Sequence, residues 1–281
     1  VTDLRAAGAR RIVRRKPYGT WLMAIIVVAC FLKLAVGFAT NPAMRWDLVG
    51  QFLFAPVVLS GLMTTLWVTI VITAFSAVVG LAVAVMRLSG NPVLKIVADF
   101  YLWIFRAIPA LVWLLFWYFL AILVPKLSLG VPFGPTLFEG NTNEIIGRFG
   151  AAVLGLGLVE GAYMAEVIRG GLVSVNRGQA EAARALGMRP AKILWYIVLP
   201  QALKAIIPGF ANQIIMMIKG TSLLLIIGVP ELMTTVQDIY TANFQQIPLL
   251  VVACFWYLAI CSVLSIVQGH LEARASKGAH R

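Results

Sequence analysis

Six apolar runs, at roughly residues 20–40, 56–86, 102–124, 149–168, 205–229 and 248–268, dominate this 281-residue chain. About 20 apolar residues suffice to carry a helix across a bilayer core. Inside that core a chain must satisfy its own backbone hydrogen bonds, so runs of this kind fold as helices. The second run is long enough to tilt or to extend beyond the membrane. Only 12% of the residues are charged and 61% are hydrophobic, and the mean hydropathy is +0.92. Soluble domains carry about 25% charged residues. The expectation is an all-α integral membrane protein with about six transmembrane helices.

The net charge is +12. In a soluble chain that excess would point to nucleic acid; here its distribution reads as a topology signal and as contact with membrane lipid. Arg5, Arg10, Arg11, Arg14, Arg15 and Lys16 precede the first run, and Arg87 and Lys95 lie between the second and third. Arg169, Arg177, Arg184, Arg189, Lys192 and Lys204 surround a polar segment before the fifth run. Arg274, Lys277 and Arg281 follow the last. The alternate loops hold only Arg45, Lys126 and Arg148. Short loops rich in Lys and Arg stay cytoplasmic, so both termini and the polar segment are expected inside. The first run is too long for a typical cleaved signal and is kept as a helix. Cys30, Cys254 and Cys261 fall within runs, odd in number and without metal-ligand spacing, and His270 and His280 stand alone in the tail. Neither a disulfide nor a metal site is expected.

The polar segment, residues 178–210, is GQAEAARALGMRPAKILWYIVLPQALKAIIPGF. Its first part is rich in good helix formers. Gly187 suits the left-handed position after a helix and Pro190 the first turn of the next. That second helix is expected to end or bend near Pro200 and to bend again at Pro208. Glu181 is expected near a helix start, where the dipole favours a carboxylate. Ala182, Ala183 and Ala185 form a small-residue face that admits another surface. The loop 125–147, rich in Gly and Pro, is expected to be irregular; it either docks an outside partner or merely links two helices. No phosphate-cradling loop, no His/Cys metal cluster and no nucleophile–His–acid set is present. No catalytic residue is assigned, and the chain is not expected to hydrolyse ATP.

The spacing from Glu181-Ala182-Ala183 through Gly187 to Leu199-Pro200 resembles the EAA loop of bacterial ABC importer permeases. SGLMTTLWVTIV (60–71), MRLSGNPVL (86–94), FRAIPALVWLLFWYF (105–119), AYMAEVIRGGLVSVNRGQAEAARALGM (162–188) and VLPQALKAIIPGFANQIIMMIKGTSLL (198–224) extend the likeness over about residues 56–268. Together they resemble the polar amino acid permeases of the histidine/glutamine/arginine importer type. That resemblance implies the type I ABC importer permease fold in a bacterial inner membrane. It implies a basic tail (1–18), an additional helix and outside loop (19–55), a permease domain (56–268) with its coupling loop at about 176–200, and a second tail (269–281). It further implies a cytoplasmic ATPase dimer that binds ATP and Mg, a second permease subunit in a homo- or heterodimer, an external solute-binding protein and an amino acid as cargo. Glu181, Ala182, Ala183, Gly187, Leu199 and Pro200 then belong to the ATPase contact. Two departures stand out. Arg106-Ala107-Ile108-Pro109 replaces the common Arg-Gly-Thr-Pro, and Lys219-Gly220-Thr221-Ser222 replaces Lys-Asp-Thr-Ser.

Ionisable residues inside a span are costly unless paired or facing water, so they are candidates for function. Glu160 and Tyr163 share a helical face with Met164 and are expected to line one cavity. Glu160 either meets the solute or forms a structural pair with Lys219. Lys219, Thr221 and Ser222 can hold a carboxylate, and Met217 is adaptable lining. Glu166 has Arg169 three residues away, a pairing distance on a helix. A channel or secondary transporter is the alternative function, but it gives no reason for the polar segment.

Overall fold

The computed structural model describes residues 18–130 and 136–276. The basic stretch before Tyr18, the tip 131–135, and Lys277, His280 and Arg281 lie outside the described residues. Two units divide the chain, Val1–Trp46 and Asp47–Arg281. In the first, α1 (Tyr18–Ala39) is a single apolar helix with no buried residue, followed by a short turn in which Trp46 donates to the Ala39 carbonyl (2.8 Å). α2 (Trp46–Leu53) follows.

The second unit is a helical bundle built on α3 (Pro56–Leu88) and α8 (Arg148–Val173). Gly80 packs on Met164 so closely that a Cβ there would lie 2.6 Å from the Met164 Cβ. Ser76 donates to the Gly157 carbonyl across the seam (3.0 Å) and to its own Ile72 carbonyl (2.7 Å). Small residues that let helix backbones approach are the usual means of association where water supplies no hydrophobic drive.

Among the described residues, five helices are long and apolar enough to span, or six if one bent pair counts as a single span. The bent pair corrects the third expected span. Residues 102–124 do not form one helix. α4 (Pro92–Ala107) starts at an Asn91 cap, whose side chain accepts from the Val93 N–H, with Pro92 in the first turn. It meets α5 (Ala110–Tyr118) at 99°. Ile108 is extended (φ −98°, ψ 133°) because Pro109 follows it, and proline disfavours the helical region for its predecessor. α6 (Leu120–Leu123) completes the segment.

Among its described residues, the loop 125–147 is not irregular. It contains an antiparallel hairpin, β1 (Lys126–Gly130) and β2 (Thr136–Asn141), then the one-turn α7 (Thr142–Ile145). Lys126 pairs with Glu139 across the strands at 2.8 Å. That carboxylate, accepting from the ammonium, holds Lys126 above its ordinary pKa.

The polar segment holds α9 (Arg177–Ala185) and α10 (Pro190–Ile193). α10 continues without a break through a wide π turn (Leu194–Val198) into α11 (Leu199–Gly220). Of the expected end or bend near Pro200, the end is therefore absent. The π turn ends two residues before Pro200, which has no N–H to donate, and Pro208 lies inside α11 without ending it. A 3₁₀ turn (Thr221–Ile227) leads to Gly228 in the left-handed conformation, then α12 (Leu232–Asn243) and α13 (Gln246–Ser276). α12 is too short to span.

Candidate functional site

The hook formed by α9 and α10 is defined by local chemistry at both ends. The Asn176 side chain accepts from the Gly178 N–H (2.8 Å), starting α9. At the other end the Gly187 N–H donates to the Arg184 carbonyl (2.9 Å) and the Met188 N–H to the Ala183 carbonyl (3.1 Å). These two bonds make a Schellman stop, with Gly187 at φ +75°. No atom lies within 4 Å of where a Gly187 Cβ would stand, so its constraint is the backbone conformation. Gln201 donates to Gln179 and to the Ile197 carbonyl, tying α9 to the start of α11.

Of the hook residues, Ala183 is buried and packs inward, while Glu181, Ala182 and Gly187 are exposed. Leu199 is half-buried and Pro200 exposed. Glu181 is not at the helix start: α9 has no acidic residue in its first turn because it begins at Arg177. Leu186, at 83% exposure, is the most exposed large apolar side chain among the described residues. Trp195 and Tyr196, in the π turn, are exposed as well.

Above the hook, the ends of α3, α4 and α8 meet in a charged cluster. Glu166 accepts from Arg169 at 3.0 and 2.8 Å, from Arg87, and lies 3.5 Å from Arg106. Arg87 also pairs with Asp99 at 2.8 Å. The Glu166–Arg169 pairing was legible in the sequence; the long-range partners Arg87, Asp99 and Arg106 were not. An open cleft of about 540 Å³ beside this cluster is lined by Arg87, Asp99, Trp103, Arg106, Tyr163 and Glu166, among others. The Arg106 guanidinium sits 5.7 Å from the Tyr163 ring centre.

Tyr163 faces the charged cleft, whose lining does not include Glu160. Glu160 is turned into the bundle, 8% exposed, with its Oε1 lacking a protein partner. No ion pair joins Glu160 to Lys219 among the described residues: Lys219 is on the exposed face of α11, while Glu160 is buried. Met164, Met217 and Thr221 are buried, the last donating to the Ile218 carbonyl (2.7 Å). Ser222 is half-buried and donates to the Lys219 carbonyl (2.7 Å).

A second carboxylate escaped the sequence reading. Glu231, with 0% exposure, caps α12 by accepting from the Thr234 N–H (2.7 Å) and hydroxyl (3.1 Å). It also accepts from Tyr257 of α13 (3.1 Å) and Thr65 of α3 (3.3 Å). Gly228 and Pro230 just before it were the available signal for a new helix start.

Comparison with known proteins places this geometry. The family model of the binding-protein-dependent transport system inner membrane component matches residues 76–277. The arginine transport system permease protein ArgU of Corynebacterium glutamicum is 39% identical over 267 residues, covering 94% of this chain and 82% of that one. The glutamine transport system permease protein GlnP of Escherichia coli K12 is 32% identical over 232 residues, covering 82% of this chain and 98% of that one. A crystal structure of an amino acid ABC transporter with histidines matches with a TM-score of 0.67 at 30% identity, covering 79% of this chain and 95% of that chain. With its spanning bundle and exposed hook, this chain belongs to the family of binding-protein-dependent transport system inner membrane components, the non-catalytic permease subunits of ABC transporters.

Proposed function

We propose that this permease forms the path of an ATP-driven importer of polar amino acids, with arginine as the first cargo to assay. The observation that carries the substrate class is the 39% identity, over 94% of the chain, to an arginine permease. The hook is the contact for a cytoplasmic ATPase dimer, which binds ATP and Mg and performs the hydrolysis. Glu181, Ala182, Ala183, Gly187, Leu199 and Pro200 set its shape and surface. A helix end stopped by a left-handed glycine, with an apolar residue displayed beside it, suits insertion into a partner's groove. The hook side is then cytoplasmic, as are both termini, and the hairpin side faces the external solute-binding protein. A second permease subunit completes the path.

Within this chain Lys219, Tyr163 and Ser222 are the path candidates with exposed or half-exposed positions. Glu160 is the candidate whose buried oxygen lacks a protein partner. Met164, Met217 and Thr221 are the buried candidates. ATP-driven movement of the hooks would shift the bundle between two packed states, each favoured by different ligands. The test is uptake of labelled arginine, glutamine and glutamate by the complex reconstituted with its ATPase and binding protein. Arginine uptake that requires ATP and is lost in Gly187→Val supports the reading. Uptake that persists without the ATPase would mean a channel or secondary transporter instead.

A further inference from the structure

We propose that the cleft between α4 and α8 binds the phosphate of an anionic phospholipid headgroup, with Arg106 as its principal donor. Placing that lipid in the cytoplasmic leaflet rests on the importer reading; the binding itself does not.

The first support is the attitude of α4. Residues of α5 pack along α8, as Leu114 does on Gly155, and α4 leaves α5 at 99°. With α5 in a spanning direction, α4 runs along the membrane plane. Its exposed apolar residues Val93, Ile96, Val97, Phe100 and Trp103 recur at helical spacing. Lys95, Asp99 and Arg106 follow a second stripe, at i, i+4 and i+11. A helix with an aromatic-bearing apolar face and a charged face is the pattern of one lying at the headgroup boundary. The cleft, with Trp103 on its rim, therefore opens at headgroup depth.

The second support is charge. Three guanidiniums, of Arg87, Arg106 and Arg169, face two carboxylates, of Asp99 and Glu166. One positive charge is left over, and geometry assigns it to Arg106. Arg106 stands 3.5 Å from Glu166, whereas Arg169 bonds the same carboxyl group at 2.8 Å. The Arg106 side chain is also 45% exposed, against 29% for Arg87 and 34% for Arg169. A planar guanidinium with free donors matches phosphate oxygens in a two-point geometry. Basic pockets between helices on the cytoplasmic side are suited to anionic headgroups. An amino acid from solution fits less well, because the mouth is edged by Trp103, 66% exposed on the lipid-facing stripe.

The full chain in neutral detergent is incubated with mixed micelles of equal phosphatidylglycerol and phosphatidylcholine, repurified, and its retained lipid measured by mass spectrometry. One basic contact near an anionic surface is worth about five-fold in occupancy, so about five-fold enrichment of phosphatidylglycerol is expected. Arg106→Gln should bring it to parity, and Lys126→Gln, on the distant hairpin, should leave it unchanged. If Arg106→Gln fails to fold, Arg106→Lys carries the test. It keeps the charge and loses the fork, and its retention should fall between the unmodified chain and parity. Unchanged enrichment in both Arg106 variants would overturn the proposal. So would Arg106-dependent binding of inorganic phosphate without lipid enrichment, which marks a free-anion site. Expulsion of the lipid by dissolved arginine, which marks a solute subsite, would overturn it too. Retention is read without hydrolysis or transport, so its failure leaves the importer reading untouched.

Discussion

The bundle helix α8 and the hook helix α9 are neighbours in sequence and opposites in physics. Thirteen of α8's 26 residues are buried, against one of α9's nine. α8 owes its place to close approach: Gly155, Gly157, Gly161 and Gly171 let other helices against its backbone. α9 owes its shape to its own ends, the Asn176 cap and the Gly187 stop. The scaffold is thus specified by packing and the hook by local backbone chemistry. If the hook is a partner contact, the permease needs both properties: a bundle rigid enough to transmit motion, and a projection whose surface stays available.

The harshest test of that contrast lies at the α5–α8 contact. A Cβ on Gly155 would lie 2.6 Å from the Leu114 Cα, a backbone atom that cannot step aside. Gly155→Leu is expected to cost about 3 kcal/mol, seen as loss of monodisperse protein or a collapsed melting midpoint. A variant that melts like the parent would mean that the seam is loose and the scaffold is held otherwise.

Next in size is Glu231→Leu. It removes the acceptor for the Thr234 N–H and for the Tyr257 hydroxyl. Loss of a cap together with stranded buried donors is expected to cost about 2 kcal/mol. Glu231→Gln, which keeps one carbonyl acceptor, should lose less. Melting curves of the two variants give the comparison, and equal losses would show that the carboxylate is not the junction between α3, α12 and α13.

A smaller effect belongs to Arg87→Leu. This strips partners from Asp99 and Glu166 at once. Because these groups are partly exposed, solvent screens the loss, and about 1 kcal/mol is expected. High salt should narrow the gap between variant and parent. A gap that does not respond to salt would assign Arg87 to packing instead.

These contrasts also explain what the sequence could and could not reveal. The hook's Gly187 and Pro190 were legible because each acts on its own backbone. Ile108–Pro109 and Asn91–Pro92 carried the same kind of signal, yet an apolar run across 102–124 hid the break. Pro200 could by its local chemistry end or bend the helix, and the helix runs on past it after a π turn. The Gly/Pro density of 125–147 marked turns but could not say that the flanking residues pair as strands. Arg87 and Glu166 stand 79 residues apart, and no local pattern announces such a meeting. Of the two readings of Glu160, the pair with Lys219 is absent for a related reason: position along the chain does not fix which way two helices face.

The smallest expected change in stability carries the sharpest statement about function. Leu186 closes α9 just before its glycine stop and is 83% exposed. Leu186→Asp touches no packed atom of the bundle, so melting should shift by less than about 0.5 kcal/mol. If the hook is the ATPase contact, the same change places a charge in a desolvated apolar pocket of the partner. Interface residues of that kind, truncated or made polar, cost about 2 kcal/mol or more in binding, which is about thirty-fold. The measurement is co-purification of the ATPase with parent and variant, alongside the melting curve of each permease alone. An unchanged melt with lost ATPase separates surface from scaffold as proposed. If the ATPase stays bound, Leu186 lies outside the contact, and the footprint must move toward Trp195 and Tyr196. If instead the permease itself destabilises, α9 is part of the scaffold, and the division between a packed bundle and a free-standing hook does not hold.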